Sequence, residues 1–138
     1  MRDSGVEPRR LMLELTETYV MRDVEQSIRH LQQFAELGLC IAMDDFGTGY
    51  SSLSYLQNLP LTHIKVDRSF VRDTPSGKNR GLLETVLFLA DKLGLRAVAE
   101  GIETAEQAEA LKQIGYRWGQ GYWFGHPVPG EAFAQHLD

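Results

Sequence analysis

Apolar positions along the chain switch repeatedly between a period of two and a period near 3.6. Leu11 to Leu15 alternates and runs into the polar Thr16-Glu17-Thr18, which predicts a strand with a polar exit. Val24, Ile28, Leu31 and Ala35 then fall at helical spacing, and Gly38 stops that helix. The alternation continues with a strand over 39–44, a short helix over Ser51–Asn58 ended at Pro60, and a strand over His63–Asp67. Beyond a polar loop at Thr74–Lys78, the residues Leu83, Val86, Leu87, Ala90 and Leu93 mark a longer helix closed by Gly94, and Arg96–Glu100 predicts a fourth strand. Thr104-x-x-Gln107 has the pattern of a capping box ahead of a helix whose buried face carries Ala108, Leu111 and Ile114 and which Gly115 ends. A short fifth strand near Trp118–Tyr122, carrying Gln120, and a closing helix over Gly130–Leu137 follow.

Strand and helix in strict succession, with no hairpin signal, predict a parallel sheet and the α/β class. Five strands are too few for a closed parallel barrel, and a complete (β/α)8 domain takes about 250 residues. Periodicity alone leaves a doubly wound sheet open as well.

Composition narrows the function classes. With 138 residues and 43% hydrophobic content, the chain has the size of one globular unit with a sizeable core. A net charge of −5 argues against DNA, RNA or an anionic membrane surface as partner. A small phosphate substrate stays compatible, because bound cations reverse the local field. The single cysteine, Cys40, lies in an apolar run, which predicts a small buried core residue, no disulfide framework and a reducing compartment. No apolar run approaches the roughly 20 residues that span a bilayer, and no signal-peptide pattern is present. The expectation is a cytoplasmic protein, or a cytoplasmic piece of a larger one.

The segment AMDDFGTGYSSL (42–53) carries most of the chemistry. Asp44 and Asp45 end an apolar run and open into a loop with Gly47 and Gly49. Paired acids on a strand's C-terminal lip, beside a flexible backbone, are a common way to hold a hard divalent cation. Other acids fall in the same place on other strands: Glu14 and Glu17 on the first, Asp67 on the third, Glu100 and Glu103 on the fourth, with Gln120 on the fifth. That C-terminal edge is where barrels and open α/β sheets carry their sites. In His63-Ile64-Lys65-Val66-Asp67 the period of two puts Lys65 and Asp67 on one face. A lysine on an inner sheet face must be paired to stay charged, and Asp67 with the Asp44/Asp45 pair are the expected partners. Carboxylate donors favour Mg2+ or Mn2+ over Zn2+. His30, His63, His126 and His136 show no metal-ligand spacing, and Ser51 and Ser52 have no base beside them. Many carboxylates, one lysine and no nucleophile suggest two-metal hydrolysis of a phosphodiester, with cations about 3.5–4 Å apart.

Taken in order, Leu13-Glu14-Leu15-Thr16-Glu17, DDFGTGYSSL, IKVDRSFV, AEGIET and QGYWFGHPVP resemble the EAL family of cyclic di-GMP phosphodiesterases over nearly the whole chain, from about Ser4 onward. The resemblance implies the C-terminal part of a modified TIM barrel, with about five parallel strands and interleaved helices. It implies Mg2+- or Mn2+-dependent hydrolysis of cyclic di-GMP to linear pGpG, with two ions in the complete domain. Carried over by position, Glu14, Asp44, Asp45 and Asp67 resemble metal ligands, Asp44 being shared, and Lys65 resembles the residue that holds and polarises the attacking water. Glu100 resembles a general base or metal-water ligand. Glu103 and Gln120 resemble residues that bond metal-bound waters or support the lysine. Glu17 resembles an anchor of the DDFGTG loop, whose Phe46, Gly47, Thr48 and Gly49 would couple to substrate, and Ser51–Pro60 would lie near a dimer interface. The family's Glu-Ala-Leu motif, the arginine after it and an asparagine ligand are absent from these 138 residues, and His126 stands where arginine or lysine is expected. The N-terminal part of the barrel is thus expected to be missing from residues 1–138, so that a homodimer or a partner would complete it. A sensor that binds cyclic di-GMP without cleaving it, or a protein-interaction half-domain, is the alternative.

Overall fold

The computed structural model describes residues 5–48 and 53–133. Its strands are β1 (Met12–Thr16), β2 (Cys40–Phe46), β3 (His63–Val66), β4 (Arg96–Ala99) and β5 (Trp118–Gly119). They form one sheet in the order β1-β2-β3-β4-β5, and every pairing is parallel. The helices are α1 (Glu17–Val20), α2 (Val24–Glu36), α3 (Leu53–Leu56), α4 (Arg68–Val71), α5 (Arg80–Lys92), α6 (Ala105–Ile114) and α7 (Gly130–Phe133). Sequential strand order with right-handed crossovers carries all crossing helices to one side of the sheet. This is the single winding of a barrel segment, and it settles the doubly wound alternative against the latter.

Local signals hold the long helices where the periodicity puts them. The Asp23 carboxylate caps α2 by accepting from the Gln26 amide at 2.9 Å. The expected capping box of α6 forms: Thr104 accepts from the Gln107 amide, and the Gln107 side chain accepts from the Thr104 amide. Gly115, at φ 116, ends α6 in the left-handed conformation that glycine reaches without strain. Leu31 of α2, Leu83, Val86 and Ala90 of α5, and Leu111 of α6 share one core with Leu15, Met43, Ile64 and Ala97 of the sheet.

Several boundaries depart from the sequence reading. The polar exit of β1 is the start of α1, because the Thr16 side chain accepts from the Tyr19 amide and caps it. Asp67 leaves β3 and caps α4, accepting from the Ser69 amide at 2.9 Å. Cys40 is half-buried rather than buried, its thiol 3.5 Å from the Arg9 carbonyl. β5 is only two residues long, so Gln120 lies just past it, with its amide still bonded to the Ala99 carbonyl at 2.9 Å. Gly49, Ser51, Ser52 and the end of the predicted closing helix lie outside the described residues. Among the described residues no helix is long and apolar enough to cross a membrane.

Candidate active site

Parallel register decides which residues share a face. Leu15, Met43, Ile64 and Ala97 are aligned across four strands and point into the helix-covered core. Glu14, Ala42, His63 and Arg96 are aligned on the other face, which Asp44, Lys65 and Val98 continue two residues on. The acids therefore gather on the face turned away from that core.

Adjacent acids on a regular strand point to opposite faces. β2 avoids this with a bulge: three steps from Met43 to Phe46 match two steps from Ile64 to Val66 on β3, and Asp45 takes φ 53. The irregular stretch belongs to β2 itself, so the strand runs two residues beyond its predicted end. The Asp45 amide donates to Asp44 Oδ1 at 3.1 Å, and the Thr48 hydroxyl donates to the Asp45 carbonyl at 2.8 Å. One carboxylate oxygen from each of Asp44, Asp45 and Glu100 then lies within 4.8 Å of the other two.

Lys65 stands beside this cluster with 4% of its surface exposed. Its Nζ lies 2.6 Å from Glu100 Oε1, 2.7 Å from Glu14 Oε2 and 3.3 Å from Asp44 Oδ1. Of the expected partners only Asp44 is among these; Glu14 and Glu100 take the places of Asp45 and Asp67, neither of which, among the described residues, is within ion-pair distance. Asp67 is turned to the Ser69 amide instead. Burial works against the ammonium, but the hydrogen bonds of Glu100 and Glu14 and the charges of Glu100 and Asp44 outweigh it and raise its pKa.

Burial and like charge set the carboxylates apart. The Asp45 carboxyl is pushed up by burial and by the Asp44 and Asp67 charges, against the pull of Lys65. Glu100 is pushed up by burial and by Asp44, although Lys65 draws it down. Burial would also raise Asp67, but hydrogen bonds to Ser69 and Arg68 and the Arg68 charge hold it below the ordinary value. Crowded, oxygen-only donors whose ionised forms resist one another fit a hard divalent cation.

A cleft of about 470 Å³ opens beside the cluster, lined among others by Asp45, Asp67, Glu100, Glu103 and Gln120. Five of the expected residues thus share one cavity. Glu17 lies elsewhere: it is buried, and its Oε1 accepts from the Tyr55 hydroxyl at 2.9 Å, tying α1 to α3. Phe46 is buried in the core, whereas Gly47 is half-buried and Thr48 exposed. Sequence reasoning missed Arg68 and Tyr122, which line the same cleft. Arg68 follows Asp67 directly, yet only the fold brings it against Gly101.

A family profile described as "EAL domain" matches residues 1–127. The cyclic di-GMP phosphodiesterase NbdA of Pseudomonas aeruginosa is 44% identical over 128 residues, covering 92% of this chain and 16% of NbdA. Among solved structures, the PaMucR phosphodiesterase in complex with c-di-GMP superposes with a TM-score of 0.88 at 40% identity, over 96% of this chain and 54% of that one. The manganese/c-di-GMP complex of Klebsiella pneumoniae BlrP1 superposes with a TM-score of 0.84 at 35% identity, over 92% of this chain and 33% of that one. The chain spans 16–18% of the length of the curated relatives it matches first.

Proposed function

We propose that this chain, which belongs to the EAL domain family, is the C-terminal part of a phosphodiesterase domain and hydrolyses cyclic di-GMP to linear pGpG. Relatives named as cyclic di-GMP phosphodiesterases and a neighbour solved with that nucleotide support the substrate. The observation that carries the reading is the Lys65 ammonium, held by Glu14, Asp44 and Glu100 beside the Asp44/Asp45/Glu100 oxygen cluster.

In this reading Glu14, Asp44, Asp45 and Asp67 hold the cations, Mg2+ or Mn2+, two of them when the barrel is complete. Bound there, a divalent cation supplies Lewis-acid stabilisation of the phosphoryl oxygens and activation of water. Lys65, kept charged by its partners, orients the attacking water and balances charge building on the phosphate. Glu100 accepts the proton of that water, a role suited to a carboxylate raised by burial. Glu103 and Gln120 bond the polar groups gathered in the cleft. Glu17 supports the loop that begins at Phe46, Gly47, Thr48 and Gly49. The chain acts in the cytoplasm, and a second copy or a partner completes the barrel.

Calorimetric titration of the purified chain with cyclic di-GMP in Mn2+ and in EDTA tests this. The reading expects binding that depends on Mn2+, with pGpG as product. Binding that survives EDTA and yields no product would favour the sensor instead.

A further inference from the structure

We propose that Arg68 binds a phosphoryl group of the nucleotide from the wall of the acidic cleft. The inference rests on the phosphodiesterase reading and adds a substrate contact to it. Asp45, Asp67, Glu100 and Glu103 give this cleft four carboxylates, and Arg68 is the cationic residue that lines it with them. Its side chain is exposed, and among the described residues it makes no ion pair within 4.0 Å.

The base of the side chain is nevertheless fixed. A Cβ built on Gly101 would lie 2.4 Å from Arg68 Cβ and 3.3 Å from its Cα, so the start of α4 and the β4–α6 connection touch at this point. Gly101 sits at φ +69 immediately after Glu100, and Arg68 immediately after Asp67. The base of the side chain is thereby held next to Asp67 and Glu100, while the guanidinium makes no ion pair with either among the described residues. A planar, permanently charged group so placed suits phosphoryl oxygens, which it can grip with two parallel hydrogen bonds. A phosphate drawn to cations on Asp44 and Asp45 would arrive at the same cleft.

The test compares the wild-type chain with Arg68→Ala, Arg68→Gln and Arg68→Lys, measuring cyclic di-GMP affinity in Ca2+ and, separately, Mn2+ affinity. Loss of a charge-assisted contact predicts weakening on the order of tenfold in the Ala and Gln variants. The Lys variant should fall between wild type and Gln, because the charge remains but the planar pair of hydrogen bonds is lost. Mn2+ affinity should not fall in any variant, which a merely structural role would not ensure. Wild-type affinity in all three, or a Lys variant no better than Gln, would overturn the proposal while leaving the phosphodiesterase reading in place. Failure of the wild-type chain to bind cyclic di-GMP would overturn both.

Discussion

Lys65 Nζ lies 2.6 Å from Glu100 Oε1, an ion pair that joins β3 to the exit of β4 with the lysine almost wholly out of water. The same ammonium reaches Glu14 on β1 at 2.7 Å, so one cation holds together acids spread over the width of four strands. Without it, Glu14, Asp44 and Glu100 would face one another with no counter-charge at their centre. Removing one partner of a buried ion pair costs on the order of 3 kcal/mol. Lys65→Met should therefore lower stability by roughly that amount in EDTA, read by urea unfolding, and Mn2+ should restore most of the loss. A variant as stable as wild type in EDTA would show that the pair contributes little.

Asp45 should respond in the opposite direction. Its carboxyl is raised by burial and by the neighbouring acids Asp44 and Asp67, so the fold opposes its charge. Asn tolerates the left-handed backbone found here at φ 53. Asp45→Asn should be at least as stable as wild type, while Mn2+ affinity drops at least about tenfold. Asp45→Val, β-branched at a positive φ, should lose stability as well.

Gly101 offers a steric test against Gly77. Both have positive φ, +69 and +78, but only at Gly101 would a Cβ collide with its surroundings, at 2.4 Å from Arg68 Cβ. Gly77→Ala should cost about 1 kcal/mol from backbone strain alone. Gly101→Ala should cost about 1–3 kcal/mol more and weaken nucleotide binding by displacing Arg68. Equal melting temperatures for the two variants would mean that the start of α4 and the β4–α6 connection are not rigidly apposed.

These contrasts also mark what the sequence could disclose. Strand and helix order was legible because periodicity reports which side of an element is apolar, and the Thr104/Gln107 capping box formed as its spacing predicts. The bulge at Asp45 was not legible, since a pair of acids does not reveal whether the backbone will reverse the second side chain. The partners of Lys65 were legible only in part: Asp44 was expected and is one, but Asp67 is not, and Glu14 and Glu100 come from β1, two strands away, and from the end of β4, in a register only the sheet fixes. Arg68 and Gly101, far apart in sequence, likewise become neighbours only when β3 and β4 pair.

His63 should give folding stability a pH dependence away from the acids. The residue is 8% exposed, with Nδ1 2.7 Å from the Thr62 hydroxyl oxygen, and burial followed by the Arg96 charge depresses its pKa below 6.5. The unfolded chain then binds a proton at a pH where the folded chain does not. Stability from this residue is present above about pH 6.5 and is lost as pH falls towards the folded value, with a slope of at most about 1.4 kcal/mol per pH unit. His63→Gln should remove this component from unfolding curves recorded between pH 7 and 5. An unchanged profile would assign the dependence to other groups.

The most direct test of the central claim is a nucleotide assay of the purified chain with cyclic di-GMP and Mn2+, run beside Lys65→Ala. The account predicts pGpG formation by the wild-type chain, well below the roughly 1–10³ per second of ordinary enzymes until the barrel is completed, and none by the variant. Product formed equally by both would contradict the role given to Lys65 and, with it, the assignment of this acid cluster as the catalytic centre.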